Sequence, residues 1–269
     1  MRSHRMRALA CVTVALALVV ASCSSQPKTQ APSPSPSSPV NVSLDGWQLT
    51  LPVADPSSGG ADTVNPARIS PPWLTQTDSG VMFWAPVEGA TTPNSSHART
   101  ELVSKDSFSG GKEPRTLTAS LAVTQLPSEN PDVIIGQIHG AGDIKSVPYV
   151  MLHYFDGAIK VVVKQAQTGD ASMTYPLADD VPLSTPFTFR ISDDGNGSLT
   201  FALDAGGRTT TATAPVPAAF SGADVRFQVG AYQQAKSTGD TAADDGARVT
   251  FTTIATNKEA GAASATPTP

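Results

Sequence analysis

The chain has 269 residues, a formal net charge of −5 and only 15% charged residues, against roughly a quarter in an ordinary soluble domain. It holds no basic block, which excludes the clustered Lys and Arg of a nucleic-acid surface. Both cysteines, Cys11 and Cys23, fall in the first tenth, and the histidines number only four, which argues against a disulfide framework, a Cys-ligated zinc or a multi-His metal site in the body.

The chain opens with Arg2, Arg5 and Arg7, followed by an uncharged run from Ala8 to Ala21. That run is too short for a membrane span, which needs about 20 residues, and it has the form of a secretory signal. Its end, Val20-Ala21-Ser22-Cys23, resembles the lipobox of bacterial lipoproteins, so residues 1–22 are expected to be cleaved and Cys23 to carry lipid. An ordinary signal peptide with a secreted product is the alternative. Residues 23–39 form a Ser/Pro-rich linker that cannot bury enough surface to fold, and residues 259–269 form a small-residue tail expected to be disordered. The leader holds three of the 18 basic residues and no acid, so 15 bases face 23 acids and the remainder is at −8. The expected protein is thus an exported cell-surface lipoprotein whose folded part, residues 40–258, meets the membrane only through its anchor.

Within that part, short β-branched and aromatic segments recur: 80–85, 117–123, 133–139, 149–155, 159–164, 187–191, 199–203, 225–234 and 249–254. Turn signals such as Phe155-Asp156-Gly157, Asp193 to Gly197 and Ala205-Gly206-Gly207 separate them. No stretch keeps a 3.6-residue apolar period, so the pattern predicts an all-β sandwich, barrel or jelly roll.

Three segments combine an apolar face with a face of hydrogen-bonding groups, because successive strand side chains point to opposite sides. His97, Arg99 and Glu101 share one face; Gln137 and His139 share another, with Ile138 turned away; Gln228, Tyr232 and Gln234 share a third, with Phe227, Val229 and Ala231 turned to the core. As neighbours in one sheet, these segments would line a common groove. The glycines flanking them suggest close approach of a ligand to the backbone.

The blocks GWQLTLP (46–52), GATTPNSSHARTEL (89–102), GQIHG (136–140) and FQVGAYQQ (227–234) resemble the signature blocks of polysaccharide lyase family seven, the alginate lyases, and they fall in the family's order. The resemblance spans most of 45–254. It implies a jelly-roll β-sandwich of two curved antiparallel sheets, of the concanavalin A-like lectin and glucanase type, with substrate in a concave groove. It also implies Arg99, Gln137, His139 and Tyr232 as the catalytic set, an acidic polysaccharide or oligosaccharide as partner, and no cofactor or metal. The chain is expected to be a monomer, and a structural calcium on a loop stays open.

Such a set suits β-elimination on a uronate. The C5 proton is weakly acidic because an enolate would add charge beside a carboxylate, so the enzyme must neutralise that carboxylate and place a base and an acid. Arg99 offers a permanent charge in a donor fork, Gln137 offers neutral N–H donors, and His139 can donate or accept. Tyr232 can take the C5 proton where cationic neighbours favour its phenolate, and can protonate the departing O4. Glu101 is expected to orient Arg99 and, with Gln228 and Gln234, to bind substrate. In the family, Ile between the Gln and His goes with guluronate-containing substrates, so Ile138 points to guluronate or mixed blocks.

The sequence also departs from the family. Val103 stands where a second Arg is usual, Gln228 replaces a common Lys, and Gln233 replaces the Asn after the Tyr. Two groove cations are therefore missing, which predicts a weaker grip on a polyanion, a preference for short oligomers, or another uronan such as glucuronan. His97, His153, Trp47, Trp73 and Trp84 read as structural. Two rivals remain. A glycoside hydrolase needs paired carboxylates, yet Asp193-Asp194 and Asp244-Asp245 read as loop residues. A non-catalytic carbohydrate-binding relative could keep the groove.

Overall fold

Side chains that alternate between apolar and polar extend this chain into strands, and stacking the apolar faces of two sheets builds the core. The computed structural model describes residues 41–257. In chain order the strands are β1 (Asn41–Val42), β2 (Trp47–Ala54), β3 (Ala61–Val64), β4 (Leu74–Thr77), β5 (Gly80–Pro86), β6 (Arg99–Ser104), β7 (Phe108–Ser109), β8 (Pro114–Gln125), β9 (Asp132–Gly140), β10 (Pro148–Phe155), β11 (Ala158–Lys164), β12 (Ser172–Ala178), β13 (Phe187–Asp194), β14 (Ser198–Ala205), β15 (Arg208–Pro215), β16 (Asp224–Gln233) and β17 (Gly246–Asn257). One 3₁₀ turn, Gly142–Ile144, follows β9.

One sheet runs β15-β14-β13-β8-β17-β5-β4, with β1 beside β17; the other runs β12-β11-β10-β9-β16-β6-β2-β3, with β7 beside β16. Apart from the short parallel β1–β17 pair, the pairings are antiparallel. The protein is a jelly-roll β-sandwich. The nine strands expected from the sequence are present with ends within three residues. The Asp156-Gly157 and Gly206-Gly207 turns take the positive φ angles that tight hairpins need.

Between the sheets lie Phe83, Phe189, Phe201, Phe251, Leu49, Leu102, Leu117 and Leu121, all buried. Phe83 and Phe251 meet edge-on with centroids 5.1 Å apart. Burying each such side chain contributes about 1.5–3 kcal/mol. Trp47 and Trp84 are buried and Trp73 packs partly buried on the core, as structural residues do.

Two irregularities shape the middle of the second sheet. Between Val229 and Tyr232 the β16–β9 register slips, and it slips again between β9 and β10 around Ile135. At Gly230 (φ +157°) a Cβ would lie 2.5 Å from the Thr100 carbonyl oxygen, and at Gly136 one would lie 2.6 Å from Cζ of Phe189 in the facing sheet. The glycines beside the site residues are therefore demanded by packing from behind and from the neighbouring strand. Packing alone thus accounts for these glycines, without the ligand approach expected from the sequence.

Candidate active site

Strands β9, β16 and β6 are adjacent, and their register sets Gln228 opposite both Gln137 and Val103, and Tyr232 opposite Arg99. Their outward side chains line one groove of about 500 Å³ that brings together Arg99, Glu101, Gln137, His139, Gln228, Tyr232 and Gln234. The six catalytic and binding candidates on these strands, and Gln234 just past the end of β16, thus share one site. Cys23, the leader, the linker and the tail lie outside the described residues. A separate cleft of about 580 Å³, lined by Leu177, Asp179, Asp180 and Arg208 among others, holds none of these seven.

Glu101 has no solvent exposure and organises the floor of the groove. Its Oε2 accepts from Arg99 Nη1 at 3.1 Å and its Oε1 from Gln137 Nε2 at 2.6 Å. Burial raises the Glu101 pKa, opposed by Arg99, Gln137 and Arg226. Gln137 Nε2 also donates to Gln228 Oε1 at 3.3 Å. Both hydrogens of that amide are thus engaged within the protein, and the longer bond to Gln228 is the one a substrate carboxylate can replace. The Arg99 guanidinium lies 3.4 Å from the centroid of the Tyr232 ring, and the Tyr232 hydroxyl is 3.0 Å from Ser95 Oγ.

His139 is held neutral, its pKa depressed to about 4, first by burial and then by Arg99 and Arg226, against a hydrogen bond to the Gly140 carbonyl that acts the other way. Because that carbonyl can only accept, Nδ1 donates the hydrogen at 3.3 Å, and Nε2 keeps its lone pair.

Some expectations change. His97 precedes β6, is absent from the groove lining, and donates from Nδ1 to the Ala235 carbonyl at 2.9 Å. Strand parity fails there because regular pairing starts only at Arg99. Asp193 is not a loop residue: it lies fully buried near the end of β13, accepting from Gly111 N and Gly195 N at 2.7 and 2.9 Å. His153 pairs with Asp132 at 3.0 Å, a structural role. Glu101 is the single carboxylate of the groove lining, which leaves no pair for hydrolysis.

Other lining residues were missed: Ser95, Ile134, Lys145 and Arg226. Arg226 shares the parity of Gln228 and Tyr232 and lies just before the quoted block, so the signal was there. Ile134 reaches the groove because of the β9 bulge, which no alternation rule foresees. Among the described residues no group of three or more His, Cys, Asp or Glu is placed to hold a metal ion.

The alginate lyase family model matches residues 42–258. No curated protein sequence matches the chain. Among solved structures, the fold is similar to an alginate lyase from Pseudomonas aeruginosa, at 25% identity and TM-score 0.71, over 81% of this chain and 100% of that one. It is also similar to the family-7 alginate lyase A1-II′ (24%, TM-score 0.67, 80% and 95%) and to the alginate lyase from Klebsiella pneumoniae (22%, TM-score 0.68, 81% and 96%). A match running through every strand that carries the groove leaves one assignment: the chain belongs to the alginate lyase family, polysaccharide lyase family seven, and is a polysaccharide lyase.

Proposed function

We propose that the enzyme cleaves 1,4-linked uronate chains, alginate first, by β-elimination. The observation that carries this is the convergence of Arg99, Gln137, Tyr232 and a neutral His139 on one groove. Arg99 and Gln137 bind the carboxylate at the reaction centre. A base removes the C5 proton, the C–H electrons form the C4=C5 double bond, the C4–O4 bond breaks, and O4 takes a proton from Tyr232. No water is consumed. In guluronate the proton and O4 leave from opposite sides, so His139 Nε2 is the base and Tyr232 the acid. In mannuronate they leave from one side and Tyr232 serves as both.

Ile138 favours guluronate-containing or mixed blocks through its association in the family; its side chain is buried in the core and is not part of the groove lining. A1-II′ has been solved with a product (GGG) and a substrate (GGMG). A second reading, glucuronan or another uronan, draws on Val103 and Gln228 lining the groove where the family usually has cations.

Ultraviolet detection of unsaturated product on polyguluronate, polymannuronate and glucuronan tests the proposal. Product on guluronate-containing alginate is expected. Product on glucuronan alone selects the second reading, and no product on any uronan leaves a non-catalytic binding protein. Export with a lipid on Cys23 is part of the same proposal. Mass spectrometry of the mature N-terminus should find a diacylglyceryl cysteine there, and an unmodified or absent Cys23 would refute it.

A further inference from the structure

The groove holds more positive charge than its motifs supply. Three cations, Arg99, Arg226 and Lys145, line it with one carboxylate, Glu101. Glu101 is bonded to Arg99 and compensates it. His139 is neutral. Arg226 and Lys145, neither of which belongs to the four signature blocks, add positive charge beyond the Arg99–Glu101 pair; Arg226 feels Asp224 and Glu101 through space but bonds to neither.

Arg226 is built into the site. It lies directly opposite His139 in the β9–β16 register, where facing Cα atoms are about 4.5–5.5 Å apart. It is half-buried, its Nε is shielded from solvent without a partner, and among the described residues its side chain forms no ion pair. Asp224 and Glu101 act on it only through space, so its fork keeps donors for a directly bound anion. Lys145, just past the 3₁₀ turn that follows β9, is exposed at the same groove. Arg99 belongs to a different row, opposite Tyr232, which faces Ile134 on β9. Five residues of β9 separate the rows, at most roughly 16 Å of strand. One row can hold the carboxylate of the sugar undergoing elimination while the other meets a neighbouring sugar on the same chain.

We propose that Arg226, assisted by Lys145, forms a second carboxylate subsite at the His139 end of the groove, which binds the uronate next to the one being opened. The inference rests on the uronate reading above. It also relocates the missing cations: where Val103 and Gln228 replace two usual positive charges, β16 supplies one two residues earlier and the segment after β9 supplies the other.

The test uses the full chain with Arg226→Gln, Arg226→Lys and Lys145→Gln. Initial rates on the uronan that the wild type opens are measured across a sodium chloride series. Arg226→Gln should raise KM about tenfold or more, the worth of a charge-assisted hydrogen bond, with kcat changed less than about threefold. It should also flatten the dependence of log KM on log salt, and Arg226→Lys should restore part of both. Lys145→Gln, at an exposed position that puts folding at no risk, should give a smaller change of the same sign. In parallel, calorimetry with a trimeric or tetrameric oligouronate on Tyr232→Phe, with and without Arg226→Gln, reads binding without turnover. A tenfold weaker Kd supports the subsite even if wild-type activity on every uronan is nil, an outcome that would sink the elimination reading alone. Unchanged Kd and unchanged salt slope in both Arg226→Gln and Lys145→Gln, or a loss confined to kcat, would overturn it.

Discussion

Arg99 sits over the ring of Tyr232, its guanidinium carbon 3.4 Å from the ring centroid, and the β6–β16 register holds the two residues directly opposite one another. The cation expected to meet the substrate carboxylate is thus also the ceiling or floor of the phenol that handles the proton. Such a cation–π pair is worth about 0.5–2 kcal/mol and holds the two groups against one another.

Tyr232→Phe keeps the ring and the stacking and removes the hydroxyl that meets Ser95. Turnover should fall by about a hundred- to a thousandfold or more, while the melting temperature and oligouronate binding stay near wild type. Rates above a tenth of wild type would reject Tyr232 as proton carrier.

His139 sets the acid limb. The base must be neutral, and with a pKa near 4 it is neutral at all higher pH, so kcat/KM on polyguluronate should rise with pH through about 4 and then level. Arg99 and Arg226 both press in this direction, with Lys145 at the same groove and Glu101 the opposing charge. A limb centred near 6.5 would contradict it. His139→Ala should abolish turnover on polyguluronate without unfolding the protein.

The same depression couples folding to pH. Between the unfolded value near 6.5 and about 4, the unfolded chain binds the proton that the folded imidazole refuses. Stability should therefore fall as pH drops through that window, and His139→Gln should remove this part of the fall in urea melts at pH 7, 5.5 and 4.5.

Glu101 is a positioning residue. Glu101→Ala leaves Arg99 buried without its anion and should cost about 3–5 kcal/mol in denaturant melts. Glu101→Gln keeps an acceptor for one neighbour and should cost less. Its distinguishing effect is kinetic: with Arg99 and Gln137 no longer held, kcat should fall more than the loss of folded protein explains, and Gln should recover part of it.

Gly230→Ala drives a Cβ to 2.5 Å from a backbone oxygen, which cannot swing aside as a side chain can. Overpacking of this kind costs about 1–3 kcal/mol. Because the bulge there sets where Tyr232 emerges, activity should fall further than stability predicts.

The sequence showed the site better than the sheet around it. Alternation within 99–102 and 137–139 is strict, and 227–232 keeps Phe227, Val229 and Ala231 inward through its bulge, so the side to which Arg99, Glu101, Gln137, His139, Gln228 and Tyr232 turn could be read directly. β12 and β15 escaped because outer strands in SMTYPLA and RTTTATAP bury little and alternate weakly. Ile134 escaped because a bulge reverses parity without a sequence signature, and Lys145 because loops have no parity at all. The body's charge of −8 pointed away from a polyanion, since a sum over the chain says nothing of where Arg226 and Lys145 are placed.

The ring of Phe189 occupies the space where a side chain at position 136 would be. One residue along, Gln137 faces the opposite way, into the groove. The alignment of the reaction centre is therefore calibrated from the sheet behind the groove. Trimming Phe189 to Leu would leave a void beneath β9 and let Gln137 and His139 settle toward it, so a substitution invisible from the groove would detune catalysis like a worn bearing beneath a precision stage.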